Sequence, residues 1–123
     1  MAKHNPEVMA QLVMKLFDAR TSAHAQHLAT RSYSTHMALG GFYSEIGDKA
    51  DSIAESYQGT TGALLSLPDP APLEQDPLAS LQQLQLWIDQ NRNAACSDSE
   101  IQNLIDEALD LINSTMYKLR FLK

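Results

Sequence analysis

The sequence has little of what several large classes of protein depend on. It contains a single cysteine, Cys96, which excludes an internal disulfide framework and a zinc site built on cysteine pairs. No apolar run approaches the roughly 18 residues that a transmembrane helix needs, and the first residues lack the apolar core of a secretory signal. We therefore expect a soluble, cytoplasmic protein that does not associate with membranes.

Basic residues are also scarce. Nine Lys and Arg stand against 15 Asp and Glu, which gives a formal net charge of −6. Because nucleic-acid affinity depends largely on clustered cations, DNA is not an expected partner. A local basic patch would require the fold to gather five residues, and we expect scattered surface charge instead. Those residues are Arg20, Arg31, Lys118, Arg120 and Lys123.

Apolar residues recur at spacings of three and four in four segments, which predicts four amphipathic helices. We place them at roughly 6–30, 35–58, 77–94 and 98–121, with a loop over 59–76. The pairs Asn5-Pro6 and Asp76-Pro77 are typical helix starts, with a capping residue before a proline at the first helical position. The run Ser97-Asp-Ser-Glu100 matches a capping box and predicts the start of the fourth helix.

The boundary between the first two helices has two candidates. One is the stretch 30–34, which is rich in hydroxyl side chains, and the other is the pair Gly40 and Gly41. Gly59 is suited to a left-handed cap at the end of the second helix. Because four amphipathic helices bury their apolar faces only against one another, we predict one all-α domain over 1–123, an antiparallel four-helix bundle.

Candidate metal ligands are confined to the first half of the chain. His24 and His27 share one face of the first helix, His36 follows nine residues later, and Asp51 and Glu55 share one face of the second helix. Imidazole and carboxylate together suit iron, zinc or manganese. The alternative is structural: histidines within a polar helix interface and ordinary surface acids. Helices three and four contain no histidine, which excludes a di-iron site at the centre of the bundle.

The spacing of these residues bears on the oligomeric state. On one continuous helix, His36 and Asp51 would lie about 22 Å apart, too far to share a metal ion. Either the chain turns between them or two subunits share the site. A two-fold dimer allows the second arrangement, so a homodimer or a higher homo-oligomer is expected if the metal hypothesis holds.

The run from His24 to His36, followed by Asp51-Ser-Ile-Ala-Glu55, resembles the ferroxidase segment of Dps-type mini-ferritins. In that family two histidines twelve residues apart precede Asp-x-x-x-Glu, and His24, His36, Asp51 and Glu55 reproduce this spacing. The resemblance implies a ferritin-like bundle whose iron sites cross the dimer two-fold, with histidines from one chain and acids from the other. Apart from this resemblance, Tyr33, Tyr43 and Tyr57 are candidate neighbours of the ligands, although aromatic residues at helical spacing usually belong to the core.

The segment His27-Leu-x-Thr-x-Ser-Tyr-x-x-His36, which precedes Tyr57-Gln-Gly59, is similar to a segment of small ferritin-like proteins of tailed phages. This resemblance implies the host cytoplasm as the place of action. The chain departs from the Dps pattern at Gly40, where the family has an aspartate, and it lacks a lysine-rich tail. Two functions are therefore expected. One is iron binding, with ferroxidase activity as its extension. The other is that of a degenerate ferritin-like bundle that acts through contacts with an unidentified protein, without metal or catalysis.

Overall fold

The computed structural model describes residues 3–123, and these form four α-helices with no β-strand among them. The helices are α1 (Pro6–Ala29), α2 (Tyr33–Thr61), α3 (Pro77–Ala95) and α4 (Ser99–Phe121). The predicted all-α class with four helices is confirmed. Within residues 3–123, no helix is both long enough and apolar enough to cross a membrane.

Two of the predicted helix starts are confirmed and one is wrong in its detail. The side chains of Asn5 and Asp76 accept hydrogen bonds from amides in the first turns of α1 and α3. The predicted capping box does not form, because the N-cap of α4 is Asp98, whose side chain makes no capping hydrogen bond. The hydroxyl of Ser97 instead accepts a hydrogen bond from the amide of Lys3.

The break between α1 and α2 falls at residues 30–32, the first of the two candidates. Gly40 and Gly41 both lie inside α2. The predicted cap at Gly59 is wrong, since the helix continues past it and ends at Gly62, which has a left-handed φ of 72°. Both glycines are able to adopt that conformation, so the choice depends on where the helix loses its packing partners.

Each helix contacts two others, so the four occupy the corners of a square. Within residues 3–123, α1 packs on α2 and α3, and α4 packs on the same two helices. The side chains of His4 and Tyr57 meet at 2.9 Å, which places the end of α2 beside the start of α1. The amide of Asn5 donates to the carbonyl of Ala95, which places the end of α3 there too. All contacting pairs are therefore antiparallel, and the diagonal pairs are parallel.

Parallel α2 and α3 require a connection that runs the length of the bundle. Residues 62–76 provide it and lie along α1. The amide of Ala71 donates to the Asp18 carboxylate at 3.2 Å, and the amide of Glu74 donates to the Ser22 hydroxyl at 2.9 Å. The bundle thus has one long crossover and two short turns.

The core is formed by the apolar stripes that the sequence predicts. Its largest fully buried side chains come from all four helices. They are Met9, Leu12, Leu16, Leu39, Phe42, Ile46, Ile53, Tyr57, Ile88, Ile101, Ile105 and Ile112. Because these side chains turn inward, the histidines of α1 and α2 are left at the edge between the two helices.

Candidate metal-binding site

His27 of α1 and His36 of α2 bond to each other's backbone. The Nδ1 of His27 lies 2.7 Å from the carbonyl oxygen of His36, and the Nδ1 of His36 lies 2.8 Å from the carbonyl oxygen of His27. Their rings are stacked, with centroids 3.8 Å apart and planes 16° from parallel. The short turn at residues 30–32 brings the two rings together, so this pair locks α1 to α2.

The hydrogen bonds determine where the proton sits on each neutral ring. A carbonyl oxygen only accepts, so Nδ1 carries the hydrogen in both His27 and His36, and each Nε2 keeps its lone pair. In the described part of the chain neither Nε2 has a hydrogen-bond partner, and neither is a buried unsatisfied atom, so both reach solvent. Metal-binding histidines commonly have this arrangement, with Nδ1–H held by a carbonyl and Nε2 free.

Gly40 is the position that lets the His27 ring approach α2. A Cβ atom at Gly40 would lie 3.1 Å from Cε1 and 3.3 Å from Nδ1 of His27. An aspartate here, as in the Dps pattern, would therefore displace the imidazole. About two turns further along, Gly47 has the same relation to Arg20, whose Nη1 would lie 3.1 Å from an added Cβ. Small residues thus set the close packing of α1 on α2.

The third histidine of the predicted set is engaged differently. The ring of His24 stacks on Tyr43 at 4.0 Å, with the planes 7° apart, and its centroid lies 6.3 Å from that of His27. His24 is exposed, whereas His27 and His36 are half-buried. Of the tyrosines proposed as neighbours, Tyr43 belongs to this cluster, while Tyr33 is exposed beside His36. The three histidines and Tyr43 form what we call the histidine cluster.

The two carboxylates of the predicted set lie elsewhere in the same chain. Asp51 and Glu55 are exposed on α2. Because α2 is continuous from Tyr33 to Thr61, Asp51 lies about 22 Å along the helix from His36. Residues 3–123 contain no group of three or more His, Cys, Asp or Glu side chains placed to hold a metal ion within one chain. A complete site at these residues therefore requires a second copy of the chain.

A shallow groove lies on the outer face of α1 and α2, beside the histidine cluster. Its lining includes His24 and Leu28 from α1 and Tyr43 and Ser44 from α2. Residues 43 and 44 are midway along α2 between His36 and Asp51. This position matters for a two-fold dimer, because an axis through the groove would set each of those two residues opposite the other's copy.

A second polar contact, at the opposite end of the bundle, was not predicted from the sequence. His4 and Tyr57 share a hydrogen bond, and Cys96 is buried in the turn that pairs with His4. Burial raises the pKa of the Cys96 thiol, and burial and then the nearby Cys96 raise the pKa of Tyr57. A thiol held protonated is a poor nucleophile and a poor ligand, so Cys96 is a packing residue.

The chain has relatives among known sequences. It is 28% identical over 109 residues to an uncharacterized 14.6 kDa protein from the mobD-ri intergenic region of Enterobacteria phage T4, an alignment that covers 87% of this chain and 80% of the phage protein. No solved structure matches it. Residues 27–119, which run from the histidine cluster to the end of α4, match the model of a family of unknown function (DUF5856). The chain belongs to this family.

Proposed function

We propose that this protein binds a divalent transition metal, iron or alternatively zinc or manganese, in a site shared by two copies of the chain. His27 and His36 of one copy supply Nε2 atoms, and Asp51 and Glu55 of the other supply carboxylate oxygens. The observation that carries the proposal is the pair of reciprocal Nδ1–carbonyl hydrogen bonds, which leaves both Nε2 atoms free at the surface.

The donor atoms fit such a metal. Neutral imidazole and carboxylate oxygen are the mixed set that iron, zinc and manganese accept. The rings are already held in one tautomer, so little conformational entropy remains to be lost on binding. His24 is placed at the edge of the site, because its ring is stacked on Tyr43.

Dimer geometry supports the shared site. If two α2 helices cross antiparallel at residues 43 and 44, His36 of each copy lies opposite Asp51 of the other. The exposed face of α2 around that point includes the small residues Gly41 and Ser44, which would let two helices approach closely there. The exposed side chain of Leu28 adds apolar area to the same face.

The path of the chain also supports a ferritin-like fold. Ferritin-like bundles differ from simple up-and-down bundles in having one long crossover between two antiparallel pairs. Residues 62–76 make that connection here, and α1–α2 and α3–α4 are the two pairs. The phage relative supports a phage-type origin and action in a host cytoplasm.

The proposal is for binding, with ferroxidase activity as an extension that needs a separate test. Oxidation of Fe(II) moves one electron to an oxidant and leaves a ferric ion, which prefers hard oxygen ligands. Gly40 removes the carboxylate that the Dps pattern provides beside the histidines, and the His27 ring fills its place. We therefore expect this site to bind Fe(III) less tightly than a Dps-type site that has the aspartate.

Metal content and mass measured together test the proposal. Fe(II) is added anaerobically, or Zn(II) is added. We then expect the parent protein to bind metal in a fixed ratio to the number of chains, and its mass, measured by light scattering, to become that of a dimer. His36→Ala and Glu55→Ala should each lose the metal, while the exposed control Asp89→Asn on α3 should keep it. A parent protein that holds no metal under these conditions contradicts the proposal.

A second candidate is a helical interaction protein that works without metal. It is favoured by the structural role of the histidines, because the stacked His27 and His36 rings join α1 to α2. This candidate predicts that chelator leaves the oligomeric state unchanged, and that His36→Ala lowers stability without altering any metal content. The same two measurements therefore separate the candidates.

A further inference from the structure

The fold divides the charged residues between two ends of the bundle. Because contacting helices are antiparallel, three stretches of the chain lie together at one end of the bundle. They are residues 19–44 (the C-terminal half of α1 and the N-terminal part of α2), 77–88 (the N-terminal part of α3) and 111–123 (the C-terminal half of α4). We call these residues the basic end. Contacts between the helices confirm the register: Gln26 reaches Gln75 ahead of α3, and Gln85 of α3 bonds Asn113 of α4.

The basic end contains no Asp or Glu in any of its helices. It holds five of the nine Lys and Arg of the chain, and none of the 15 Asp and Glu is among its residues, although Glu74 and Asp76 of the crossover border it. The five cations are Arg20, Arg31, Lys118, Arg120 and Lys123, and all of them are exposed. Antiparallel packing thus places these five cations, which the sequence alone led us to expect as scattered surface charge, in the same half of the bundle.

These cations have no carboxylate partners in residues 3–123. The two ion pairs there, Lys49 with Glu107 and Arg92 with Asp106, both lie outside the basic end. The crossover brings Glu74 and Asp76 near α3, where the Asp76 side chain caps the helix. Unpaired cations on one side of a chain with a net charge of −6 produce a strongly polarised surface.

Exposed apolar side chains are concentrated at the same end. Outside the crossover, every large exposed apolar residue of residues 3–123 belongs to it. They are Leu28, Tyr33, Met37, Leu86, Tyr117, Phe121 and Leu122. Tyr33 and Phe121 are the most exposed aromatic side chains, at 76% and 66%. The helical segments outside the basic end, which we call the acidic half, are of similar length and carry no large exposed apolar side chain. The asymmetry is therefore not a general property of the surface.

We propose that the basic end is a docking surface for an acidic protein segment that also carries apolar side chains. Arg, Tyr, Phe and Met are the residues enriched in protein interfaces, and unpaired cations select a carboxylate-rich partner. A nucleic acid fits less well, because five cations on a chain of net charge −6 neutralise few phosphates, although Tyr33 and Phe121 are able to stack on bases. A second copy is not the occupant proposed here, since the helices of its acidic half carry no large exposed apolar side chain, and the dimer of the metal proposal uses only the α1–α2 groove beside Leu28.

The docking proposal does not depend on the metal proposal. Its test is run in chelator, so that a negative result bears on docking alone. The probe is a fluorescein-labelled amphipathic peptide of Glu and Leu in helical spacing, and binding is measured by fluorescence anisotropy at two salt concentrations. Oligo-dT and phosphatidylglycerol vesicles are measured alongside. We expect saturable binding of the peptide that weakens with salt and exceeds binding to either of the other probes.

Two double variants and their matched controls locate the contact. Arg31→Glu with Arg120→Glu should weaken peptide binding about tenfold, whereas Lys3→Glu with Lys49→Glu, which changes net charge equally, should not. Tyr33→Ser with Phe121→Ser should weaken it similarly, and Leu64→Ser, a fully exposed residue of the crossover, should not. All of these side chains are at least partly exposed, so folding is checked simply by circular dichroism.

The results that overturn the proposal are equally definite. Failure of the parent protein to bind the peptide, or equal losses in the test and control variants, would show that the basic end does not recognise acidic segments. Tighter binding to oligo-dT or to the vesicles would assign the surface to a polyanion or a lipid headgroup instead.

Discussion

His27 and His36 hold α1 and α2 together by exchanging hydrogen bonds with each other's backbone carbonyl, at 2.7 and 2.8 Å, while their rings stack at 3.8 Å. The pair closes the turn between the two helices and fixes the tautomer of both rings. One arrangement thus has a structural consequence, tested by stability, and a chemical one, tested by metal binding.

The structural consequence predicts a loss of stability in chelator. His27→Ala and His36→Ala should each lower the free energy of unfolding by about 1–2 kcal/mol, the usual cost of a lost hydrogen bond with its packing. The double variant should lose less than the sum, because each single change breaks part of the same contact. Urea unfolding measures this. His24→Ala, which removes an exposed ring, is the control and should lose less; equal losses at all three positions would contradict the role of the pair.

Gly40 and Gly41 should respond in opposite ways to alanine. Replacing a glycine inside a helix by alanine stabilises it by up to about 1 kcal/mol when the Cβ has space. Nothing lies within 4 Å of a Cβ at Gly41, so Gly41→Ala should raise the urea midpoint. At Gly40 the Cβ meets the His27 ring, which cannot move without losing its bond to His36, so Gly40→Ala should cancel the gain or lower stability. Equal stabilisation by both substitutions would show that the ring is free to shift.

The helix caps provide a prediction with a control at the same kind of position. Asn5 accepts hydrogen bonds from two amides of α1, so Asn5→Ala should cost about 1 kcal/mol. Asp98 occupies the N-cap of α4 without a capping hydrogen bond, so Asp98→Ala should cost clearly less. Thermal unfolding of the two variants under one set of conditions compares them. A larger loss at Asp98 would indicate that its carboxylate caps α4 after all.

Alkaline pH should destabilise the protein through its buried acids. Burial raises the pKa of Cys96 above its ordinary 9.0, and burial, with Cys96 adding to it, raises the pKa of Tyr57 above 10.0. The unfolded chain loses these protons at lower pH than the folded chain, so the stabilisation is complete below the ordinary pKa values and is lost as pH rises from them through the raised values of the folded chain. Urea unfolding in reductant from neutral pH upward measures the decline. Cys96→Ala should make the free energy of unfolding fall less steeply in the lower part of this pH range. An unchanged slope would contradict the role given to the Cys96 thiol.

Much of the fold follows from local patterns. The stripe from Met9 to Leu16 and that from Phe42 to Ile53 have helical periodicity, and burial of such a stripe needs little information beyond the spacing. Asn5 and Asp76 mark helix starts because their side chains act on amides nearby in sequence. The end of α2 was harder to predict, since Gly59 and Gly62 are equally able to cap a helix and tertiary packing decides between them.

The candidate site was predictable only in part. The spacing of His24 and His27 indicates a shared face of the first helix, and the distance from His36 to Asp51 follows from helix rise. The stacked pair does not follow from spacing, because it depends on the turn at residues 30–32 and on the missing side chain at Gly40. The basic end was missed for a similar reason: its cations are far apart in sequence, and only the direction of each helix brings them together.

A mixed dimer tests the shared metal site most directly. His36→Ala and Glu55→Ala chains, carrying different affinity tags, are coexpressed and loaded with Zn(II), and the dimer that holds both tags is then purified and its bound metal measured. If histidines and carboxylates come from different copies, one of the two sites in this dimer has all its ligands, so metal content should recover to about half that of the parent dimer, while each variant alone stays empty. A mixed dimer that binds no more metal than either variant alone would contradict the shared site.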